Sequence, residues 1–349
     1  MEPKGGLDTK ALETTAKALV AAGKGILAAD ESTSTIAKRF KDIGVESTET
    51  SRRDYRHLLF TAPEVSKAIS GVILYDETLR QKAPDGTRLA DILAKQGIIP
   101  GVKVDTGAKE FALHPGEKVT EGLDGLRERL AEYHKLGARF AKWRAVITIG
   151  RAANGPPLPS YACLAVNAHA LARYAALCQE AGIVPIVEPE VLMDGDHDVQ
   201  TCDRVTRWAW ATLFEQLMVQ GVHLPGILLK PSMVVSGKSA KDRAKPEEVA
   251  RRTVAALRDA IPPAVPGIVF LSGGQTPEEA TEHLRLMNAL GPHPWTLSFS
   301  YGRALQEPAL KAWGGKAANV KKAQDAFRVV ARANSAAALG KKVAKVEAK

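Results

Sequence analysis

The chain has 349 residues, 45% of them hydrophobic and 25% charged, which excludes a fibrous or disordered protein and allows a large buried core. Its net charge of +9 arises from 48 basic and 39 acidic residues. These residues are intermingled along the chain, which disfavours a dedicated nucleic-acid-binding protein. The surplus of positive charge suits small anionic substrates. The three cysteines lack metal-ligand spacing, which disfavours a disulfide framework or a zinc site. Without an apolar signal segment or a run of membrane-spanning length, we expect a cytoplasmic protein that needs no membrane.

Short apolar runs recur along the chain, and each is followed by polar or Gly-rich residues and then by a longer helical pattern. They cover residues 25–29, 71–75, 100–104, 139–143, 183–187, 226–229, 267–271 and 295–299. Strands that alternate with helices indicate a parallel sheet, and a spacing of roughly 30 to 45 residues is what one unit of a (β/α)8 barrel occupies. These units use up the chain, so we predict an α/β fold, a single-domain (β/α)8 TIM barrel.

The predicted barrel covers residues 1–340, including an N-terminal helical extension, and a lysine-rich tail at 341–349 is expected to be flexible. Helices predicted over 123–136 and 167–181 each end before a glycine, which suits a C-terminal cap. A doubly wound sheet is the structural alternative. The first strand is not followed by a Gly-x-Gly-x-x-Gly turn, which disfavours that fold.

Charged or hydroxyl residues lie at or near the carboxyl ends of several predicted strands. Residues two apart share one face of a strand, and barrel enzymes build their active sites at this end. A single buried charge could be a salt-bridged core group, but the repetition from strand to strand indicates one shared site. The expected cluster is Asp30, Lys103, Lys142, Glu188, Lys230 and Ser272, with Arg144 and Glu190 on the faces of Lys142 and Glu188.

Lys230 ends a short apolar run, where an ammonium group is costly. Burial disfavours its charged form and leaves an amine that can form a Schiff base with a carbonyl. Taken alone, a lysine that extends to solvent is an equally good interpretation. Nearby positive charge from Lys103, Lys142 and Arg144 would favour the neutral amine further. Glu188 would then act as the general acid and base for carbonyl addition and loss of water.

Two segments suit a phosphate group. Ser272-Gly273-Gly274 follows the seventh strand and leads into a helix predicted near residue 276, so backbone N–H groups and a helix N-terminus can face an anion. After the eighth strand, Gly302 allows close approach and Arg303 can donate two hydrogen bonds to phosphate. In a barrel, this is the recurrent phosphate position.

The loop after the first strand suits a second anion contact through Ser32, Lys38 and Arg39. A helix N-cap followed by a solvated basic turn explains the same residues equally well.

Metal sites are disfavoured. The segment 194–198 lacks the full EF-hand spacing and the histidines lack paired ligand spacing, so we expect no metal and no cofactor.

With these motifs the chain resembles class I fructose-bisphosphate aldolase from about Gly23 to about Gly340. The matching blocks are Gly-Ile-Leu-Ala-Ala-Asp30-Glu-Ser, Val-Lys103-Val-Asp, Ala-Lys142-Trp-Arg144, Val-Glu188-Pro-Glu190, Leu-Leu-Lys230-Pro, Phe-Leu-Ser272-Gly-Gly-Gln and Phe-Ser300-Tyr-Gly-Arg303. The resemblance implies reversible cleavage of fructose 1,6-bisphosphate to dihydroxyacetone phosphate and glyceraldehyde 3-phosphate, in glycolysis and gluconeogenesis. It also implies a homotetramer that acts on small phosphorylated sugars without metal.

The resemblance further implies the roles of individual residues. Lys230 matches the lysine that forms the imine with the ketose, and Glu188 matches the acid and base. Asp30, Lys142 and Glu190 match residues that assist imine chemistry and C–C cleavage. The substrate-binding positions are Ser272, Gly273, Gly274, Ser300, Gly302 and Arg303 for one phosphate, Arg39, Lys38 and Ser32 at the other end of the sugar, and Lys103 and Arg144.

The chain departs from the family pattern in two places. Family members usually end in a longer tail with a terminal tyrosine that assists proton exchange at C3, whereas the last tyrosine here is Tyr301. We therefore expect cleavage to persist, with a slower C3 proton step or another proton donor. Ser34 and Thr35 replace the usual Gly and Ser, so the contact to the far phosphate is expected to differ.

Two other functions remain open from the sequence. A non-catalytic scaffold or binding protein could retain the same fold, although the joint presence of Asp30, Lys142, Glu188 and Lys230 argues against it. Another Schiff-base barrel enzyme, such as a transaldolase, is disfavoured by basic residues suited to two phosphates.

Overall fold

A computed structural model describes residues 7–152 and 155–342 of the chain. Its strands are β1 (Gly25–Ala29), β2 (Ile69–Leu74), β3 (Ile99–Lys103), β4 (Gly107–Glu110), β5 (Lys118–Glu121), β6 (Phe140–Ile147), β7 (Gly150–Arg151), β8 (Pro157–Leu158), β9 (Val184–Val191), β10 (Leu228–Leu229), β11 (Gly267–Phe270) and β12 (Thr296–Tyr301). A closed parallel barrel has the order β1-β2-β3-β6-β9-β10-β11-β12, and β12 pairs back onto β1. The predicted TIM barrel is confirmed, and closure contradicts the doubly wound alternative.

Helices connect the barrel strands and pack around them. They are α1 (Thr9–Leu19), α2 (Thr33–Lys41), α3 (Glu49–Phe60), α4 (Val65–Ala68), α5 (Asp76–Arg80), α6 (Leu89–Lys95), α7 (Leu126–Lys135), α8 (Tyr161–Glu180), α9 (Val199–Val219), α10 (Pro246–Ala260), α11 (Pro277–Ala289), α12 (Arg303–Trp313) and α13 (Val320–Ala337), with 3-10 turns at Leu224–Gly226 and Ala317–Asn319. The helices predicted over 123–136 and 167–181 correspond to α7 and α8. Gly137 and Gly182 follow them with φ of 101° and 70°, the left-handed conformation in which glycine ends a helix.

The inside of the barrel changes from apolar to charged along β6 and β9. In β9, Val184 and Ile186 belong to the apolar cluster inside the barrel, and the same face continues with Glu188 and Glu190. In β6, Phe140 occupies this inner cluster and Lys142 follows it on the same face. The polar cavity therefore lies at the carboxyl end because the inward positions become charged there.

Helix α1 covers the amino-terminal mouth of the barrel. Its Leu12 and Leu19 join the inner apolar cluster, and two strand glycines make room for the helix. A Cβ at Gly71 would lie 2.6 Å from Leu19 Cδ2, and one at Gly267 would lie 2.5 Å from Val20 Cγ1. Such distances are too short for any real Cβ contact, so a larger residue at either position would force its neighbour to shift. The apolar plug thus lies opposite the polar cavity.

Two barrel strands are longer than the sequence pattern predicted. The runs expected to end at residues 143 and 187 continue as β6 to Ile147 and as β9 to Val191. Every residue of β9 is buried, and β6 and β9 pair along their whole lengths. Charged residues on the inner face hid this continuation, because they interrupt the apolar pattern without interrupting the strand.

An antiparallel hairpin formed by β4 and β5 was not predicted. Residues Gly107 and Ala108 at its base line the cavity described below.

No helix of the described residues is long and apolar enough to cross a membrane. The division into a barrel at 1–340 and a tail at 341–349 stays a prediction, and residues 343–349 of that tail lie outside the described ones.

Candidate active site

A cavity of about 1010 Å³ opens at the carboxyl end of the barrel. Its lining draws together residues from most of the barrel strands and from the loops that follow them. Of the residues predicted from the sequence, those that line it are Asp30, Ser32, Lys38, Arg39, Lys103, Lys142, Arg144, Glu188, Glu190, Lys230, Ser272, Gly273, Ser300, Gly302 and Arg303. The strand-end pattern therefore marks a single shared site.

Two lysines and two carboxylates form the centre of the cavity, and we call Asp30, Lys142, Glu188 and Lys230 the central cluster. Lys142 Nζ lies 2.8 Å from Asp30 Oδ2 and 3.3 Å from Glu188 Oε2, and Lys230 Nζ lies 3.2 Å from Glu188 Oε1. The side chains of Lys142, Glu188 and Lys230 are almost fully buried. Burial of so many charges is tolerable because they alternate in sign.

The electrostatics of the central cluster keep Lys142 and Asp30 charged. Burial acts to lower the pKa of Lys142, but the charges of Asp30 and Glu188 outweigh it and raise this pKa above its ordinary value. Burial likewise acts to raise the pKa of Asp30, but Lys142 and then Lys230 outweigh it, and the pKa falls well below the ordinary range. Lys142 is therefore a fixed ammonium and Asp30 a fixed carboxylate.

Of the four lysines that line the cavity, Lys38 lies on α2, and the surroundings of the other three point to one nucleophile. Lys142 has two carboxylate neighbours, and Lys103 Nζ is held by Asp105 through Oδ1 at 2.6 Å and the backbone oxygen at 2.7 Å. Among the described residues, Lys230 forms an ion pair with Glu188 alone. Since that glutamate can accept its proton, the amine of Lys230 is the one placed to attack a carbonyl.

The two glutamates of β9 have different partners. Glu188 Oε2 is buried and accepts no hydrogen bond from the described residues, so it can exchange a proton with a substrate hydroxyl. Glu190 instead binds the Nε group of Arg144. Burial acts to lower the pKa of Arg144, but the charge of Glu190 outweighs it and raises this pKa. Glu190 thus fixes a cation at the cavity wall.

Hydroxyl and N–H groups converge where β11 and β12 end. The Ser300 hydroxyl is buried and has no partner among the described residues, and Arg303 Nη2 donates to the Gly273 carbonyl at 2.9 Å. Helix α12 begins at Arg303, and no side chain caps its N-terminus at Gly302. Free N–H groups, a helix N-terminus and an arginine together suit a phosphate group.

The sequence-based expectation for α11 is wrong in one respect. Its first turn is closed by a capping box in which Glu279 N–H donates to Thr276 Oγ1 and Thr276 N–H donates to Glu279. The helix N-terminus at the cavity is that of α12. Gly274 does not line the cavity, and a Cβ at this position would lie 3.3 Å from the sulfur of Met193. The part of Gly274 in phosphate binding stays a prediction.

At the opposite side of the cavity, the N-cap interpretation of the loop after β1 is confirmed, and the anion contact stays a prediction. Ser32 is the N-cap of α2, and its hydroxyl accepts the Thr35 N–H at 3.4 Å. Ser32, Lys38 and Arg39 also line the cavity. Ser34 lies beside them, with its hydroxyl 3.1 Å from that of Ser32. This side is therefore basic and rich in hydroxyl groups.

Four acidic residues that line the cavity were missing from the predicted set: Glu31, Asp42, Asp76 and Asp105. Glu31 binds Arg39, and Asp105 binds Lys103 while also accepting the Arg144 N–H at 3.3 Å. Asp105 was detectable because it shares a strand face with Lys103. For Glu31 no sequence signal pointed inward, since its neighbour Asp30 already occupies the inward position.

The acidic segment 194–198, which was considered as a metal site, contains a helix cap. Asp198 accepts the Thr201 N–H at 2.7 Å and caps α9, and Asp194 and Asp196 are exposed. In the part of the chain that the structure describes, no group of three or more His, Cys, Asp or Glu side chains could hold a metal ion.

Comparisons with known proteins agree with the geometry of the cavity. The family model described as Fructose-bisphosphate aldolase class-I matches residues 11–349. The chain is 58% identical over 331 residues to a probable fructose-bisphosphate aldolase class 1 of Xanthomonas campestris, covering 95% of this chain and 98% of that one. It is 53% identical over 319 residues to the cytosolic fructose-bisphosphate aldolase 4 of Arabidopsis thaliana, covering 91% and 80%.

A solved structure extends this similarity to three dimensions. The fructose-bisphosphate aldolase of Plasmodium falciparum, crystallised in a ternary complex with TRAP and a small-molecule inhibitor, superposes with a TM-score of 0.93. That chain is 50% identical, and the match covers 96% of each chain.

Proposed function

The chain belongs to the class I fructose-bisphosphate aldolase family, and from this premise we propose how its residues perform the aldol cleavage. The protein is a carbon–carbon lyase that reversibly cleaves fructose 1,6-bisphosphate into dihydroxyacetone phosphate and glyceraldehyde 3-phosphate. The observation that carries the assignment of roles is the central cluster, in which Glu188 lies within 3.3 Å of both Lys142 and Lys230.

The first step joins the substrate to Lys230. Glu188 takes a proton from the Lys230 ammonium, and the free amine adds to the C2 carbonyl of the ketose. The carbinolamine then loses its hydroxyl as water, for which Glu188 returns a proton. The product is a protonated imine, whose positive charge balances the carboxylate that remains.

Cleavage of the C3–C4 bond uses the imine as an electron sink. A base removes the proton of the C4 hydroxyl, the bond electrons move toward the iminium nitrogen, and the aldehyde product leaves an enamine on Lys230. We assign this proton to Glu188 Oε2, which accepts no hydrogen bond from the described residues and lies 3.3 Å from Lys142 Nζ. Lys142, held as a cation by Asp30, stabilises negative charge that develops on substrate oxygens during the reaction.

Two anion-binding regions orient the substrate across this cluster. One phosphate binds Ser272, Gly273, Gly302 and Ser300 together with Arg303, where N–H groups and the α12 N-terminus converge. The other end of the sugar faces Ser32, Lys38 and Arg39, with Lys103 and Arg144 along the wall. Binding at both ends holds C2 near the Lys230 amine.

The family membership also guides the remaining assignments. Phosphorylated sugars are the substrates of the family, and we propose that this chain acts as a homotetramer in the cytoplasm, as suits its similarity to a cytosolic relative. The imine mechanism distinguishes this proposal from a scaffold on the same fold. Binding of two phosphates distinguishes it from a transaldolase-like enzyme.

Borohydride trapping tests the nucleophile directly. With dihydroxyacetone phosphate present, reduction should attach the substrate covalently to the peptide that contains Lys230. The Lys230→Met variant should lose the label, whereas Lys103→Met serves as a matched control from the same cavity and should keep a detectable label. Label on Lys142, or none on folded wild-type protein, would contradict the proposal.

A substrate panel separates the alternatives. Cleavage of fructose 1,6-bisphosphate should be fast, and transfer of a dihydroxyacetone unit to the acceptor sugars of transaldolases should be slow or absent. The opposite preference would favour the transaldolase-like reading.

A further inference from the structure

Behind Arg39, the cavity wall contains a row of charged side chains that the mechanism above does not use. Arg39 pairs with Glu31, Glu31 lies beside Arg56, Arg56 lies beside Glu77, and Glu77 binds Arg52. Arg39 lines the cavity, whereas Arg56 is 1% exposed and is absent from the cavity lining. The row connects the cavity to the buried face of α3 through charges of alternating sign.

Arg39 cannot bind a substrate phosphate fully while it remains paired with Glu31. The Glu31 carboxylate is buried, and a buried charge that loses its partner is strongly destabilising. Arg39 pairs with Glu31 through Nη1, so turning the whole guanidinium to a phosphate would require that another group neutralise Glu31 at the same time.

The groups needed for this replacement are already in place. Arg56 Nη2 donates to the Glu31 backbone oxygen at 2.7 Å and lies 3.8 Å from Glu31 Oε2. Among the described residues, Oε2 accepts no hydrogen bond, and neither Nε nor Nη1 of Arg56 donates one. A small shift would bring the Arg56 guanidinium onto the free carboxylate oxygen.

A neutral side chain keeps the Glu31 carboxylate in position during such a shift. Gln306 Nε2 donates to Glu31 Oε1 at 2.7 Å and to the Ala28 carbonyl at 2.6 Å. The Oε1 atom that binds Arg39 is therefore also anchored to β1, and Glu31 need not follow Arg39 into the cavity.

We propose that Arg56 is the alternative counter-ion of Glu31, so that Arg39 can leave Glu31 and bind a substrate phosphate. Arg56 is then a positioning residue, since it touches no substrate and acts through Glu31 and Arg39. The inference rests on the proposed function, in which Arg39 is a phosphate ligand. Its signature is a change in KM for the bisphosphate with little change in kcat, because the central cluster is untouched.

Steady-state kinetics of the full-length protein test the exchange. Arg56→Met should raise KM for fructose 1,6-bisphosphate about tenfold, because Arg39 stays locked on Glu31. Adding Glu31→Gln should restore KM toward the wild-type value, because an uncharged amide no longer holds Arg39. Arg56→Lys keeps the charge but has one nitrogen for two acceptors, so a smaller rise in KM is expected.

If Arg56→Met fails to fold, Arg56→Lys replaces it. KM is then compared between Arg56→Lys alone and Arg56→Lys combined with Glu31→Gln, which tests the same exchange. Unchanged KM in folded Arg56 variants would overturn the proposal. A raised KM that Glu31→Gln does not restore would overturn it too, since Arg56 would then act through packing alone.

Trapping experiments keep this inference separate from the proposed function. Each variant is reduced with borohydride at saturating dihydroxyacetone phosphate. Label on Lys230 with an unchanged KM contradicts only the counter-ion exchange. Loss of label in the folded wild-type protein contradicts the proposed function itself.

Discussion

Lys142 and Lys230 have equally buried side chains, each 4% exposed, but their neighbours differ. Two carboxylates hold Lys142 as a cation, and one carboxylate that can accept a proton faces Lys230. Residue type and burial alone would not separate these lysines. At the residue scale, the chemistry depends on the count and position of carboxylates around each nitrogen.

Replacing Lys142 with methionine should destabilise the protein strongly. Asp30 and Glu188 would face one another without the cation between them, and loss of one partner from a buried ion pair costs about 3–5 kcal/mol. Urea denaturation at pH 7 measures this loss. Lys103→Met, which removes a more exposed partner of Asp105, is the control and should cost less. Equal stability of Lys142→Met and wild type would contradict the assignment.

Asp30 determines how the free energy of unfolding that its pair with Lys142 contributes depends on pH. Burial raises and Lys142 lowers the pKa of Asp30, and the net result lies below the ordinary value of 3.8. A lowered carboxyl pKa stabilises the fold above the ordinary value, and this contribution is lost as the pH falls through the lowered pKa. The contribution of Asp30 to wild-type stability should therefore persist at pH 5 and be lost only in strong acid, which urea denaturation across this pH range measures.

Ser300→Ala should separate binding from stability. The Ser300 hydroxyl is buried without a partner in the part of the chain that the structure describes, so its removal should leave stability unchanged or raise it by about 1 kcal/mol. KM for fructose 1,6-bisphosphate should rise because a phosphate contact is lost. Ser298→Ala is the matched control on the same strand. Its hydroxyl donates to the Lys24 carbonyl at 2.6 Å, so that variant should lose stability and keep its KM.

At the scale of elements, the ends of helices position the phosphate loops. The loop after β11 is held from behind, because Gln275 Nε2 donates to the Ser272 carbonyl at 3.1 Å and Gln275 Oε1 lies 2.6 Å from His283 Nδ1 of α11. The Thr276 capping box closes the same helix. Helix α11 thus braces the loop, while the N-terminus of α12 faces the cavity.

His283 should make stability depend on pH. Burial lowers the pKa of His283 to about 4, so the unfolded chain binds a proton before the folded one does. The folded state therefore loses stability as the pH falls from about 6.5 toward 4, by about 1.4 kcal/mol per pH unit for one proton. His283→Gln, which retains hydrogen-bonding groups for Gln275, should reduce this slope. Urea denaturation at pH 7 and pH 5 measures it, and an unchanged slope would contradict the prediction.

Across the whole molecule, the two ends of the barrel differ in polarity and in function. The apolar end is closed by α1, and the charged end holds the cavity. A parallel barrel allows this separation, because the connecting helices return every strand in the same direction, and all carboxyl ends meet at one rim.

Leu19→Ala tests the separation. Leu19 is fully buried where α1 meets the barrel, so the substitution should cost about 2–5 kcal/mol of stability. Calorimetry should show a lower melting temperature. At temperatures well below melting, kcat and KM should match the wild type, because the change lies at the end opposite the central cluster. A fall in kcat of folded protein would show that the two ends are coupled.

The sequence alone determined the barrel and most of the inward-facing residues, because apolar periodicity and spacing along the chain are local properties. The inward positions of Asp30, Lys142, Glu188 and Lys230 followed from the same pattern, although Lys142 and Glu188 lie within β6 and β9 and not at their ends. Only the tertiary structure decided which charges pair, which strands continue past a charged residue, and which helix N-terminus faces the cavity. The row behind Arg39 also depends on it, since Arg56 lies on α3 in a segment without a motif. Pairing is set by distances across strands and helices, and these distances are not encoded in the spacing of residues along one segment.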